Sequence, residues 1–114
     1  MKVIFIDKAT ERHSNHISFF EDNCISENQY KIITSLENEP KKLKELSADI
    51  LIVHKRNTVE YLRVESDDTI GGGIRIIYSE GLHSHTELDS SNHYIPYNLL
   101  YEKLEEFIGQ LNDS

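Results

Sequence analysis

Four short apolar runs, at residues 3–6, 30–33, 50–53 and 74–78, constrain the fold of this chain more than any other feature of it. They are rich in Ile and Val, and in the first of them Val3, Ile4, Phe5 and Ile6 follow one another without a polar interruption. A strand with one wet face alternates apolar and polar side chains, whereas a strand covered on both faces reads as a continuous run. These runs are therefore read as central strands of a parallel sheet sandwiched by helices. A fifth, weaker candidate at 93–95 stops at Pro96, which cannot donate to a ladder, and is expected to be short and near an edge.

Helical patterns fill the intervals. Over residues 10–23, Thr10 is a suitable N-cap and His13, Ile17, Phe20 and Cys24 trace one stripe. Pro40 suits the first turn of a helix carrying Leu43 and Leu46 and ending near Ser47. A shorter helix is expected over 58–64, with Val59 and Leu62 facing inward. The last helix is the clearest: Asn98 caps it, Leu100, Leu104, Phe107, Ile108 and Leu111 face the core, and Glu102, Lys103, Glu105 and Glu106 face water. Residues 81–92 hold only Leu82 and Leu88 as apolar side chains among Ser, His and Asp, so a loop or one poor helical turn is expected there, the least ordered internal segment. Gly71, Gly72 and Gly73 precede a strand instead of opening a helix, which makes them a flexible turn and not a phosphate cradle. Strand–helix alternation with short connections predicts one α/β domain over residues 1–114, with a doubly wound, mostly parallel five-stranded sheet and helices on both faces.

Charge limits the partners. The 114 residues carry a formal net charge of −8, which opposes binding to nucleic acid or anionic membrane, since both need a surplus of Lys and Arg on some face. Lys41, Lys42 and Lys44 stand among Glu37, Glu39 and Glu45 and read as a solvated helix face. The single Cys24 forms no internal disulfide and has no zinc-type spacing around it, so a reducing compartment is expected. The apolar run ahead of Asp7 is too short for a signal-peptide core or a membrane span, and the expected location is the cytoplasm.

In an open parallel sheet, ligands collect outside the carboxyl ends of the strands. Those ends are Asp7 and Lys8, Thr34 and Ser35, His54 and Lys55, Ser79 and Glu80, and Ile95 with Pro96. Asp7, Lys8, His54, Lys55 and Ser79 form the candidate pocket. His83 and His85, with His54, Asp7 and Glu87, would give a mixed nitrogen and oxygen shell of a kind zinc accepts; an HxH pair in a polar loop is more often a solvated pair, and no metal is expected. His13 and His16, one turn apart on the first helix, are expected to be exposed or partly packed. A Ser79–His54 dyad has no orienting acid beyond Asp7.

The segments 2–8, 48–54, 73–79 and 93–97 resemble the first, third, fourth and fifth strands of response-regulator receiver domains in order and spacing. The resemblance implies a flavodoxin-like three-layer sandwich. It also sets expectations for the strand ends: an acidic pair that holds magnesium after the first strand, a phosphoacceptor aspartate closing the third, a hydroxyl closing the fourth and a lysine in the fifth. Here Lys8 takes the second acidic position, His54 the nucleophile position and Ile95 the lysine position, so that only Asp7 and Ser79 match. An aspartyl phosphate cannot form without an aspartate, and one carboxylate beside a lysine makes a poor magnesium site. The expectation is a non-enzymatic pseudo-receiver that uses no cofactor and acts through a protein partner or self-association in signalling or regulation. In receivers the usual partner surface corresponds to residues 80–108, where Tyr94, Tyr97 and Tyr101 offer interface-type side chains. The alternative is a small-ligand-binding or metal-dependent enzyme domain using the strand-end pocket around Asp7, His54 and Ser79.

Overall fold

The computed structural model describes residues 1–35, 48–66, 73–89 and 91–112. The helix expected after Pro40, the lysine cluster, Gly71 and Gly72, and the side chain of Val59 lie outside the described residues. In chain order the elements are β1 (Val3–Ile6), a 3₁₀ turn (Thr10–Arg12) running into α1 (His13–Asp22), β2 (Tyr30–Ile33), β3 (Ile50–His54), α2 (Thr58–Ser66), β4 (Ile74–Ser79), β5 (Thr86–Asp89), β6 (Asn92–Pro96) and α3 (Tyr97–Asn112). One sheet holds all six strands in the order β2-β1-β3-β4-β6-β5. Its first four pairings are parallel, in the register Val3↔Tyr30, Val3↔Ile50, Ile50↔Ile74 and Ile76↔His93.

The sixth strand corrects the expectation of a five-stranded sheet and of a loop or helical turn across residues 81–92. β5 pairs antiparallel with β6, Thr86 opposite Tyr94 and Glu87 opposite His93. All four of its residues are exposed, so it buries no face and leaves no hydrophobic pattern to read. What holds it is the backbone ladder and an Asx-type turn: the Asp89 carboxylate accepts from the Ser91 amide at 2.7 Å and from Asn92 Nδ2 at 2.8 and 2.9 Å. A short, acidic edge strand of this kind also resists pairing with other chains.

The two faces of the sheet have separate cores. Phe5, Ile52, Ile76 and Ile95 pack with Phe19 and Phe20 of α1 and with Leu100 and Leu104 of α3. On the opposite face Ile4, Ile6, Leu51 and Val53 pack with Val64 of α2. The inward stripe of α1 differs from the expected one: His16, Phe19 and Phe20 are buried, whereas Ile17 is 37% exposed and Cys24 is exposed. Cys24 follows the helix in the left-handed region, φ 58°, a conformation that ends helices. Leu62, expected inside, is 51% exposed; α2 presents Glu60, Tyr61 and Val64 inward instead. Gly73 is more than a flexible turn, because a Cβ there would run into the carbonyl of Asp49; the close approach of the two chains entering β3 and β4 requires glycine. α3 follows β6 without a connecting residue, so Asn98 sits inside the first turn and Tyr97 begins the helix at the rim of the sheet. No helix among the described residues is long and apolar enough to cross a membrane.

Candidate functional site

The carboxyl rim of the sheet is organised around Asp7, which β1 delivers fully buried at its end. An isolated carboxylate in that position would be costly, and it persists because donors surround it. Arg12, the last residue of the 3₁₀ turn and directly before α1, grips it with two bonds, Nε to Oδ2 at 2.8 Å and Nη2 to Oδ1 at 2.7 Å. The Ala9 amide donates to Oδ1 at 3.0 Å and the Tyr78 hydroxyl to Oδ2 at 2.6 Å. His16, one turn after Arg12 on the same face, places Nε2 3.1 Å from Oδ2. Burial would raise the Asp7 carboxyl, but the bonds from His16, Arg12, Tyr78 and Ala9 outweigh it and hold the group well below the ordinary carboxylate range. Both oxygens are thereby saturated, and no lone pair is left for a cation.

Saturation fixes the direction of the remaining bonds. An ionised carboxylate only accepts, so the hydrogen of His16 is on Nε2 and its Nδ1 carries a lone pair. The Tyr101 hydroxyl, 2.7 Å from Nδ1, donates to it. The Tyr101 oxygen then accepts from the Tyr97 hydroxyl at 3.3 Å, and the Tyr97 oxygen accepts from Asn15 Nδ2 at 3.4 Å. Burial, helped by the Arg12 charge, outweighs the pull of Asp7 and keeps His16 below its ordinary value. Burial together with bonds to neighbours pushes Tyr78 and Tyr101 far up, so both hydroxyls stay protonated. Phe5 stacks on the His16 ring at 4.0 Å, closing the site from the core side.

A second branch runs from Arg12 to His54. Arg12 Nη1 donates to Glu80 Oε1 at 3.0 Å, and Glu80 Oε2 receives His54 Nε2 at 3.0 Å. The Arg56 amide donates to His54 Nδ1 at 3.0 Å, which settles the neutral tautomer with hydrogen on Nε2. His54 is fully buried, and that burial lowers its pKa despite the Glu80 bond.

Of the five pocket residues expected from sequence, then, Asp7 and His54 share a network, joined through Arg12 and Glu80. Lys8 and Lys55 are exposed at the rim; the Lys8 amide donates to Asn57 Oδ1 at 2.8 Å and the Lys55 amide to the Tyr78 carbonyl at 2.9 Å. Ser79 uses its hydroxyl to accept from the Gly81 amide at 3.0 Å, a local turn. Tyr97 and Tyr101 lie side by side, but Tyr94 does not join them. Its neighbour His93 packs on Phe107 of α3, so alternation turns Tyr94 to the opposite face of the sheet. The histidine pair is regrouped as well: His85 Nε2 meets His93 Nδ1 at 3.0 Å, away from His83, and no three His, Cys, Asp or Glu side chains converge on a metal position among the described residues. His16, expected to be exposed or partly packed, is fully buried.

Arg12, Tyr78 and Asn57, which the sequence did not single out, complete the rim together with Glu80, named from sequence only as a strand end, and His16, read there only as a helix residue. Asn57 is nearly buried and ties three strand ends together, accepting from the Lys8 amide while its Nδ2 donates to the Thr34 carbonyl at 2.8 Å. Above the filled rim lies an open groove of about 540 Å³ lined by Glu80, Leu82, His83, Tyr97, Asn98 and Tyr101. No protein-family model, curated protein or solved structure matches the chain.

Proposed function

We propose that this chain is a pseudo-receiver: a flavodoxin-like, cytoplasmic interaction domain that carries no phosphoryl chemistry and engages a protein partner in signalling or regulation through the groove beside Tyr97 and Tyr101. One observation carries the reading. The carboxylate that a receiver would use for magnesium is saturated by Arg12, His16, Tyr78 and the Ala9 amide, and the phosphoacceptor position is a buried neutral histidine held by Glu80 and the Arg56 amide. Neither a hard cation nor a phosphoryl group finds an open ligand there. The strand order β2-β1-β3-β4-β6 supports the fold part of the reading, being the flavodoxin-like order with an antiparallel strand added at the edge. The groove falls within residues 80–108, the part of the chain that corresponds to the usual receiver partner surface.

Incubation of the full chain with acetyl phosphate and magnesium, followed by intact mass, is expected to show no added phosphoryl group. Stoichiometric addition overturns the proposal.

A further inference from the structure

The groove has a hydrogen-bonding polarity, and it comes from Asp7. Because Asp7 only accepts, each group in the branch through His16 and Tyr101 points its hydrogen inward, and the branch reaches the Tyr97 oxygen, which accepts from Asn15 Nδ2 and keeps a second lone pair. A second acceptor, the half-exposed Glu80 carboxylate, forms another wall of the same groove.

The charges agree. His16 and His54 are neutral, each accepting a hydrogen bond at Nδ1, so the network holds two carboxylates, Asp7 and Glu80, against one guanidinium, Arg12. The amino end of α3 contributes roughly half a positive charge at most, which does not reverse the balance. The rim cations Lys8, Lys55 and Arg56 are not among the groove's walls, and the chain as a whole carries −8.

We infer that the groove is a docking site for an arginine side chain on an exposed segment of a partner protein. A guanidinium offers planar donors for Glu80 and the Tyr97 oxygen, and a flat, weakly hydrated face for the tyrosine rings, which stand at 68° with centroids 5.9 Å apart. A partner carboxylate would meet the Glu80 charge and the Tyr97 lone pair, with only His83 and Asn98 among the walls offering donors to it. The inference rests on reading this groove as the partner surface.

The test uses the ¹⁵N-labelled full chain titrated with Ac-Ala-Arg-Ala-NH₂, with its neutral citrulline counterpart and with Ac-Ala-Glu-Ala-NH₂. The arginine peptide is expected to give saturable shifts centred on residues 80–83 and 97–101, with binding about fivefold tighter than citrulline and weakened by added salt. Glu80→Gln is expected to remove that preference. Tyr97→Phe, which keeps the ring and loses the oxygen, is expected to weaken the arginine peptide about twofold and serves where the Glu80 variant does not fold. Equal response to arginine and citrulline, preference for the glutamate peptide, shifts away from the groove, or no saturable shift up to about 10 mM peptide each overturns the inference. Phosphoryl uptake in the mass experiment would defeat the pseudo-receiver reading without touching these peptide outcomes, so the two failures are distinguishable.

Discussion

Two buried histidines on the same side of the sheet are treated in opposite ways. At the carboxyl rim, His16 has both ring nitrogens bonded, to Asp7 and to Tyr101. Toward the far edge, His93 has Nδ1 bonded to His85, while Nε2 is buried with no partner among the described residues. The first sits in a closed electrostatic network on central strands; the second sits between a helix and a strand whose own partner is exposed along its whole length. Buried polarity is therefore strongly specified where strands β1, β3 and β4 end, and loosely specified where β5 was added. The contrast suits the proposed partner-binding groove, because a groove proposed to recognise charge must keep its hydrogens in fixed places.

The largest effect expected from this difference is at Asp7. Asp7→Ala leaves Arg12 charged with two of its three hydrogen bonds lost, beside the Tyr78 hydroxyl, the His16 imidazole and the Ala9 amide, which have lost their acceptor, and it should cost about 3 kcal/mol or more by urea denaturation. A cost below about 1 kcal/mol would mean that the network is ornamental to folding. Replacement of His16 comes next: His16→Leu leaves the Tyr101 hydroxyl without its acceptor and removes one of the five donors to Asp7, at about 2 kcal/mol.

Acid should load the rim more gently. His16 and His54 are held below the ordinary 6.5 by burial, so below that pH the unfolded chain binds protons that the native network refuses. Stability is then greatest above about 6.5 and falls as pH falls through that value. Asp7, whose native pKa is depressed from 3.8, adds a second loss only as pH drops below that range, since its contribution is complete above it. Thermal midpoints between pH 8 and 5 should decline in the parent chain, and less steeply in His54→Asn, where one refused proton is gone. A flat parent profile would contradict the neutral burial of both rings.

The sequence made the central sheet legible because burial on both faces leaves continuous apolar runs at 3–6 and 50–53 and a run at 74–78 interrupted only by Arg75, and the stripe of α3 follows from helical periodicity. β5 was illegible for the same reason reversed: a strand that buries nothing has no pattern, and its signal, Asp89 closing a turn onto Ser91 and Asn92, is local turn chemistry. At the site, strand-end logic found Asp7 and His54, since it depends only on where a run stops. It missed Arg12 and His16 because their spacing to Asp7 acquires meaning only once the 3₁₀ turn folds α1 back over the rim. Tyr78 was hidden inside an apolar run, where its ring belongs to the core and its hydroxyl to the network. The three tyrosines looked like one surface because sequence proximity ignores alternation, which sends Tyr94 through the sheet.

The smallest expected effect is the most diagnostic of the comparison. His93 is nearly the same size as leucine, lies against Phe107, and keeps a nitrogen in the core that bonds to nothing among the described residues. The less costly arrangement donates Nδ1–H to His85 Nε2 and leaves only a lone pair buried on Nε2, since an unmet N–H costs more than an unmet acceptor. His93→Leu removes that desolvation cost and gains apolar contact with Phe107, at the loss of one half-exposed bond to His85. The balance should fall within about 0.5 kcal/mol of the parent, on either side, against the loss of about 2 kcal/mol expected for His16→Leu. Paired urea titrations of the two variants read the difference directly. If His93→Leu proves as damaging as His16→Leu, the far edge is as tightly specified as the rim, and the groove has no special claim to preorganised polarity; if it is neutral or better, the well-determined hydrogens of this protein are concentrated beside Tyr97.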